Sequence, residues 1–519
     1  MYAFGTLTRA PEIRWYSEAL GRGPGSDILG IVLRDSSVAA LPPFHLPASR
    51  LFDGVGLACL HTDLVCGEND VSFIMKSSPY GAVSHGHNDQ NCFVVEAYGE
   101  PLAIASGYYN RYRSTHHADW TQQTRAKCGI TYDGGQGQDR GWQARGAVES
   151  FVHGEAFDLI RGNAVEAYGG RLTRALREVV HLRPGIFVLR DDLAGETPRS
   201  YEYRLHALDR MAVAEGERSV RIERPGAVLD CRFLLPEALS FHQTDTFDPP
   251  PAWPPDETFE NNWHLTAAFP EPRKQGGFLT VLSARRSVGD PRPEAERVSC
   301  ANGEAVRVRR PDGTAALILL AASDAVGPCS SGPAETDGRI AAVRWDGDGE
   351  VSSWLLSGGS RLCLAGRDLV RAAPGVTVTA HVAGDGGSVA VSGSGGDIAV
   401  YCPVDVTVFS GGGVTGAFAR RGEYLVGRAP PGRFCFEVGR EVPPSPGVME
   451  RQVSIGDRAV TLRGRRYGRG RAGLYAPPGT LRPGVYGTGP GWKACGGSRD
   501  ARGRRWLSGR DPLTLRGEA

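Results

Sequence analysis

A chain of 519 residues is too long for one ordinary domain, and 41% hydrophobic with 23% charged residues is the composition of a globular protein. Seventy glycines and 35 prolines argue against a mainly helical protein and fit many short strands joined by turns. No run of eighteen apolar residues exists, which excludes a membrane-spanning helix. Eleven scattered cysteines, without one Cys-x-x-Cys pair, argue against a zinc ribbon or a disulfide framework.

The predicted elements begin with one helix. In "APEIRWYSEALG", Pro11 suits a first helical turn and Gly21 a stop, with Ile13, Tyr16 and Leu20 on one face. The N-terminus lacks the basic start, apolar stretch and small-residue cleavage site of a signal peptide, so secretion is not inferred. From about Leu51 come short β-rich runs: "GVGLACLHTDL", "VSFIMKSS", "NCFVVEAYG", "VVHLRPGIFVLRDDL", "SYEYRLHAL", "VLDCRFLL", "GFLTVLSARR" and "AALILLAA". Turn residues punctuate them at the spacing of a β-sandwich. After the loop "SSGPAETDG" a second β-rich set runs from "IAAVRWDG" to "RFCFEVG". The expected organisation is mainly β: a helical remnant and linker over 1–50, a large antiparallel sandwich over 51–325, a smaller β-domain over 326–441, and a linker with an Arg/Gly-rich tail over 442–519.

The net charge of +1 hides an asymmetry. Residues 451–519 hold fifteen Lys/Arg against four Asp/Glu, which leaves 44 basic and 54 acidic residues before them. The tail keeps neither a period of 2 nor one of 3.6 and is expected to be disordered, without a packed core. Its charge has a functional reading, a polyanion-binding arm. The plainer readings are an unstructured extension, or translation of a GC-rich gene past a lost stop codon.

Four of the twelve histidines and five tyrosines fall between Ser77 and Trp120. In "SHGHND", His85 and His87 stand at i and i+2, which on an extended strand project from the same face. Asn88, Asp89 and Gln90 follow at once, and "CFVVEAYG" reads as a buried strand that holds the group still. Two imidazoles, side-chain amides and a carboxylate suit a metal, a carboxylate ligand or both. Tyr108, Tyr109, Arg111, Tyr112, Arg113, His116 and His117 form a second cluster close behind. Either cluster alone reads equally well as structural; the two together favour a site.

The runs "SSPYGAVSHGHNDQNCFVVEAYGEPLAIASGYY" and "HHADWTQQTRAKCGITYDGGQGQ" resemble the heparinase II/III-like domain of polysaccharide lyases, in the branch with oligoalginate lyases and heparin or heparosan exolyases. The resemblance is specific from about Leu41 to Leu208. It implies an N-terminal α/α toroid packed on antiparallel β-sheet domains with the substrate cleft between them, and this chain looks truncated to the last helix and linker of the toroid. Zinc-binding members add an aspartate and a histidine where this sequence has Ala105 and Lys127–Cys128. Zinc is therefore doubtful as a cofactor, with His87 as its remaining candidate ligand.

The chemistry the resemblance implies is β-elimination at a uronic acid, in an alginate, heparin or heparosan chain. Amides, guanidinium or a metal neutralise the carboxylate, a base removes the C5 proton, and an acid protonates the O4 leaving oxygen. Histidine and tyrosine suit these tasks, whereas carboxylates would repel the anionic substrate. By resemblance His85 and Tyr109 are the catalytic candidates. Asn88, Gln90, Arg113 and His117 are the candidates for substrate binding, although Gln90 has the alternative of satisfying backbone groups. Two other functions compete with a lyase: a catalytically silent carbohydrate-binding sandwich, and a β-module whose tail binds acidic partners. The expected partner is an acidic polysaccharide or oligosaccharide, with no nucleic acid.

Overall fold

The computed structural model describes residues 1–23, 28–33, 35, 37–108, 111–251, 260–383, 386–404, 406–411, 418–438, 449–455, 458–467, 471–475, 493–494 and 507–509. Contacts divide the chain into two compact units, one of residues 48–62 and 69–442, the other of residues 1–47, 63–68 and 443–519.

The larger unit is a stack of antiparallel sheets. Five strands from Arg50–Phe52 to Glu100–Ala103 form one sheet in chain order. A four-stranded sheet, which includes Ile130–Tyr132 and Tyr201–Ala207, joins it in covering one face of an eight-stranded sheet. The central strands of that larger sheet, Arg174–Leu182 and Ile186–Arg199, pair in register from Ile186 opposite Leu182 to Ala194 opposite Arg174. Strict alternation gives both faces of this hairpin a core. Val179, Phe187 and Leu189 enter the first core, while Val180, Ile186 and Val188 pack against a nine-stranded sheet on the other side. The stretch "IFVL" is thus apolar at four successive positions because neither face meets water. A third core fills the space between the nine-stranded and a seven-stranded sheet.

Two sequence expectations need correction. The boundary expected at 325/326 cuts through one sheet: Ala315–Ala321 pairs directly with Ile340–Trp345. The nine-stranded sheet already begins at Glu294–Val298, and "SSGPAETDG" is rich in turn residues because it contains a small hairpin, Cys329–Ser331 with Ala334–Thr336. The helix Pro11–Ala19 forms as expected from Pro11, but the face named for it does not hold. Tyr16 and Leu20 are 50% and 53% exposed, and Arg14, Trp15 and Ser17 are buried instead. Arg14 can be buried because its guanidinium donates to the Tyr2 hydroxyl and the Asp35 carbonyl and lies over the Tyr2 ring.

In the tail, Met449–Ile455 and Arg458–Tyr467 pair antiparallel, as do Arg458–Tyr467 and Arg471–Tyr475. Val453, Ile455, Val460 and Leu462 alternate with polar residues there, a short period-2 signal that the arginine-rich composition hides. The side chains of 449–519 lie outside the described residues, and the expectation about a core in the tail rests on them.

One buried ion pair ties this fold to the candidate site. Arg177 makes a bidentate contact with Asp191 at 2.7 and 2.9 Å, and its third donor reaches the Asn91 carbonyl at 2.8 Å. Its guanidinium sits over the rings of Phe93 and Tyr203, 5.2 and 5.4 Å from their centroids. Asn91, at φ 56°, closes the loop that carries the histidines, and its amide donates to the Gly162 carbonyl at 3.1 Å.

Candidate active site

The segment Ser77–Asn91 is a loop, not the extended strand that the i, i+2 argument assumed. Gly86 donates to the Val83 carbonyl at 2.7 Å and Ser84 has φ 52°, so the chain turns at His85. Arg140 clamps this turn, donating to the carbonyls of Gly86 at 3.0 Å and Ser84 at 2.5 Å. Further along, the Asn88 amide N–H donates to the Gln122 carbonyl at 2.8 Å and the Asn88 carbonyl accepts from the Thr124 hydroxyl at 2.8 Å. The Gln138 side chain holds the Gln90 backbone at both ends, its Oε1 accepting from the Gln90 amide N–H at 2.8 Å and its Nε2 donating to the Gln90 carbonyl at 2.7 Å.

The second cluster enters on a wide π-type helical turn, His117–Thr121, in which the Gln122 amide reaches back five residues to the His117 carbonyl at 3.0 Å. Gly107 permits its approach. At φ +97°, a Cβ there would stand 2.6 Å from the Thr121 hydroxyl and 2.9 Å from Trp120. Arg113, at φ 61°, donates its amide N–H to His117 Nδ1 at 3.2 Å, so the neutral His117 ring carries its proton on Nε2.

The topology joins the two segments ring to ring. His85, exposed on its turn, stacks on Tyr112 with centroids 4.7 Å apart; Tyr112 lies 5.5 Å from His117, and His117 lies 6.3 Å from His87. The Arg113 guanidinium lies over Tyr112, 5.4 Å from its centroid. His85, His87, Arg113 and His117 therefore belong to one group, with Tyr112 at its centre.

The other sequence candidates are placed differently. Asn88 is buried, and its amide NH2 is occupied by the Gln138 carbonyl at 3.1 Å and Gln123 Oε1 at 3.4 Å. Its Oδ1 is buried without a hydrogen-bond partner, and an acceptor cannot bind a carboxylate. Gln90 takes the structural alternative: its Oε1 accepts from the Ser78 amide at 2.6 Å and its Nε2 donates to the Ala144 carbonyl at 3.2 Å. His116 is also structural, donating to the Pro249 carbonyl at 2.8 Å and packing on Phe247. Tyr109 lies outside the described residues.

Several cations act on the histidine cluster. Burial, reinforced by Lys127, Lys76, His117 and Arg140, pushes the His87 imidazole down to about 3, so it is neutral at ordinary pH. Burial followed by Arg140 and His85 lowers His117 as well. Lys127, only 4% exposed, is pushed down to about 8 by burial, against the attraction of Asp89. Asp89 is itself paired with Lys76. These charges do not fit zinc at His87, because a dication would meet the Lys127 and Lys76 ammonium groups there. Among the described residues, no group of three His, Cys, Asp or Glu could hold a metal ion. Sequence reasoning missed Arg140 and the role of Lys127, since both are brought to the loop by pairing of distant segments.

A pH dependence follows. His87 sits at about 3, and burial holds His181 and His264 at about 4, against an ordinary value of 6.5. The unfolded chain takes up these protons below 6.5 while the folded chain resists them down to 3–4. The stability is present above 6.5 and is lost as pH falls through that window. Urea unfolding midpoints should fall steadily between about pH 6.5 and 4. A flat midpoint over that range would contradict the buried neutral histidines.

The stacked sheets carry a partly buried, histidine-rich ring cluster beside several cations. Residues 45–289 match the family model described as heparinase II/III-like, C-terminal. The chain is similar in structure to the heparan sulfate lyase HepC of Pedobacter heparinus, at 14% identity and a TM-score of 0.43, over 60% of this chain and 46% of that one. It is also similar to a xanthan lyase of Paenibacillus, at 11% identity and 0.43, over 86% and 45% of the two chains. A chondroitin AC lyase of Streptomyces coelicolor A3, in complex with chondroitin sulphate, matches at 11% and 0.42, over 79% and 52%. The chain thus spans about half the length of these lyases. No curated protein matches it. No described helix is long and apolar enough to cross a membrane.

Proposed function

We propose that residues 45–289 form one wall of a polysaccharide lyase cleft that binds a uronic-acid-containing chain and supports its β-elimination. The observation that carries this reading is the array His85–Tyr112–His117–His87, with ring centroids 4.7–6.3 Å apart, in a surrounding of Arg113, Arg140, Lys76 and Lys127. The cations attract the uronate carboxylate and offset charge that builds up as the C5 proton leaves. His85, exposed at the tip of its turn, is the proton-transfer group on this wall, while the buried His117 packs beside Tyr112, 5.5 Å from its centroid. The phenol that the described residues put beside both histidines is Tyr112. Tyr109 remains the proton donor suggested by the sequence alone.

The test is the ultraviolet absorbance of the conjugated double bond in an unsaturated uronate product. Alginate and heparosan would each be incubated with the chain, alone and joined to the N-terminal toroid of a heparinase-like lyase. Absorbance that rises with time in the joined protein is the expected result. Saturable sugar binding without product would replace this reading with a carbohydrate-binding domain, and neither binding nor product would overturn both.

A further inference from the structure

Outside the histidine cluster, Cys300 and Cys329 hold their Sγ atoms 3.4 Å apart. Cys300 lies in the connection between Glu294–Val298 and Gly303–Arg309, and Cys329 begins the strand Cys329–Ser331. Four hydrogen bonds latch the two segments together. Ala301 and Ser330 exchange backbone bonds at 2.8 and 3.1 Å, the Ser331 hydroxyl donates to the Ser299 carbonyl at 2.7 Å, and the Asn302 amide donates to the Pro328 carbonyl at 2.9 Å. Gly303 leaves room for the buried sulfur, since a Cβ there would stand 3.0 Å from Cys329 Sγ.

We propose that Cys300 and Cys329 are a redox-active dithiol that closes reversibly to a disulfide. A disulfide needs its sulfurs about 2.05 Å apart, so closure moves them roughly 1.4 Å, within reach of side-chain rotation on a backbone already held. The two thiols are unequal. Cys329 is 1% exposed, whereas Cys300 is half-buried and lines a groove of about 850 Å³ together with Arg218, Arg297 and Glu304. The hydrogen bond from Cys329 holds the Cys300 thiol below the ordinary cysteine range, and the same contact raises Cys329. Other core cysteines are poor competitors: burial pushes Cys128 up to about 12 and raises Cys92 and Cys231.

The chemistry is thiol–disulfide exchange with a small-molecule disulfide as oxidant. The Cys300 thiolate attacks one sulfur of the oxidant, forming a mixed disulfide and releasing the first thiol. Cys329 then attacks Cys300 Sγ and releases the second. Two protein thiols are oxidised to one disulfide, the oxidant is reduced to two thiols, and the two thiol protons end on those products. The bridge ties a connection of the nine-stranded sheet to the edge strand of the seven-stranded sheet.

The experiment equilibrates the full chain in glutathione buffers of rising oxidised fraction, alkylates the remaining thiols and maps peptides by mass. One crosslink, Cys300 to Cys329, lighter by roughly 2 Da and reversed by reductant, is the expected result. Cys329→Ser should stall as a glutathione adduct on Cys300, while Cys300→Ser should take no adduct at Cys329. Independent alkylation of both cysteines at every buffer ratio would overturn the proposal, as would equal crosslinking at other pairs. The wild-type map decides this even if a serine variant folds poorly.

Discussion

Asp191→Ala is expected to destabilise the larger unit by about 3–5 kcal/mol, measured as a lower urea midpoint at unchanged slope. Its carboxylate is the only described acidic partner of Arg177, and both side chains are almost wholly buried. Removing the acid leaves a guanidinium between Phe93 and Tyr203 with a hydrogen bond to the Asn91 carbonyl but no described counter-charge. Desolvation of that charge then goes uncompensated. Replacing both partners together, Arg177→Met with Asp191→Leu, should cost much less, because no unpaired charge remains. Equal losses in the single and double variants would show that packing, not charge, dominates this pair.

The second large effect is on chemistry. In the toroid-joined protein, His85→Ala should lower kcat for release of unsaturated uronate by about 10²-fold, the usual contribution of a positioned proton-transfer group. The thermal midpoint should hardly move, because His85 is exposed and its ring stacks on Tyr112 at the surface of the turn. A loss confined to KM would instead make His85 a binding residue. Unchanged kcat would remove it from the mechanism.

The strands were readable from the sequence because alternation and turn residues are local signals. Phe187 and Val188 mark a strand whichever face each takes. The faces of the N-terminal helix were not readable, since the burial of Arg14 depends on Tyr2 and on a carbonyl at Asp35. The domain boundary was misjudged because a Gly- and Pro-rich hairpin looks like a linker until the strands on either side are seen to pair. At the site, His85, His87 and His117 were legible as a concentration of one residue type, although the strand geometry used to join the first two does not exist. Gln90 belongs to the loop's scaffold, and nothing in its sequence neighbourhood separates a glutamine that binds a ligand from one that binds backbone. Arg140 was missed because its clamp on Ser84 and Gly86 bridges more than fifty residues.

The most direct test of the central claim is calorimetric titration of an oligouronate into the chain, into His85→Ala and into Arg113→Ala, with a neutral oligosaccharide as control. Saturable binding of the oligouronate, weakened about tenfold or more in each variant and by added salt, is the predicted result. Binding that is equally tight in both variants, or equally tight for the neutral sugar, would contradict a uronate site at the histidine cluster.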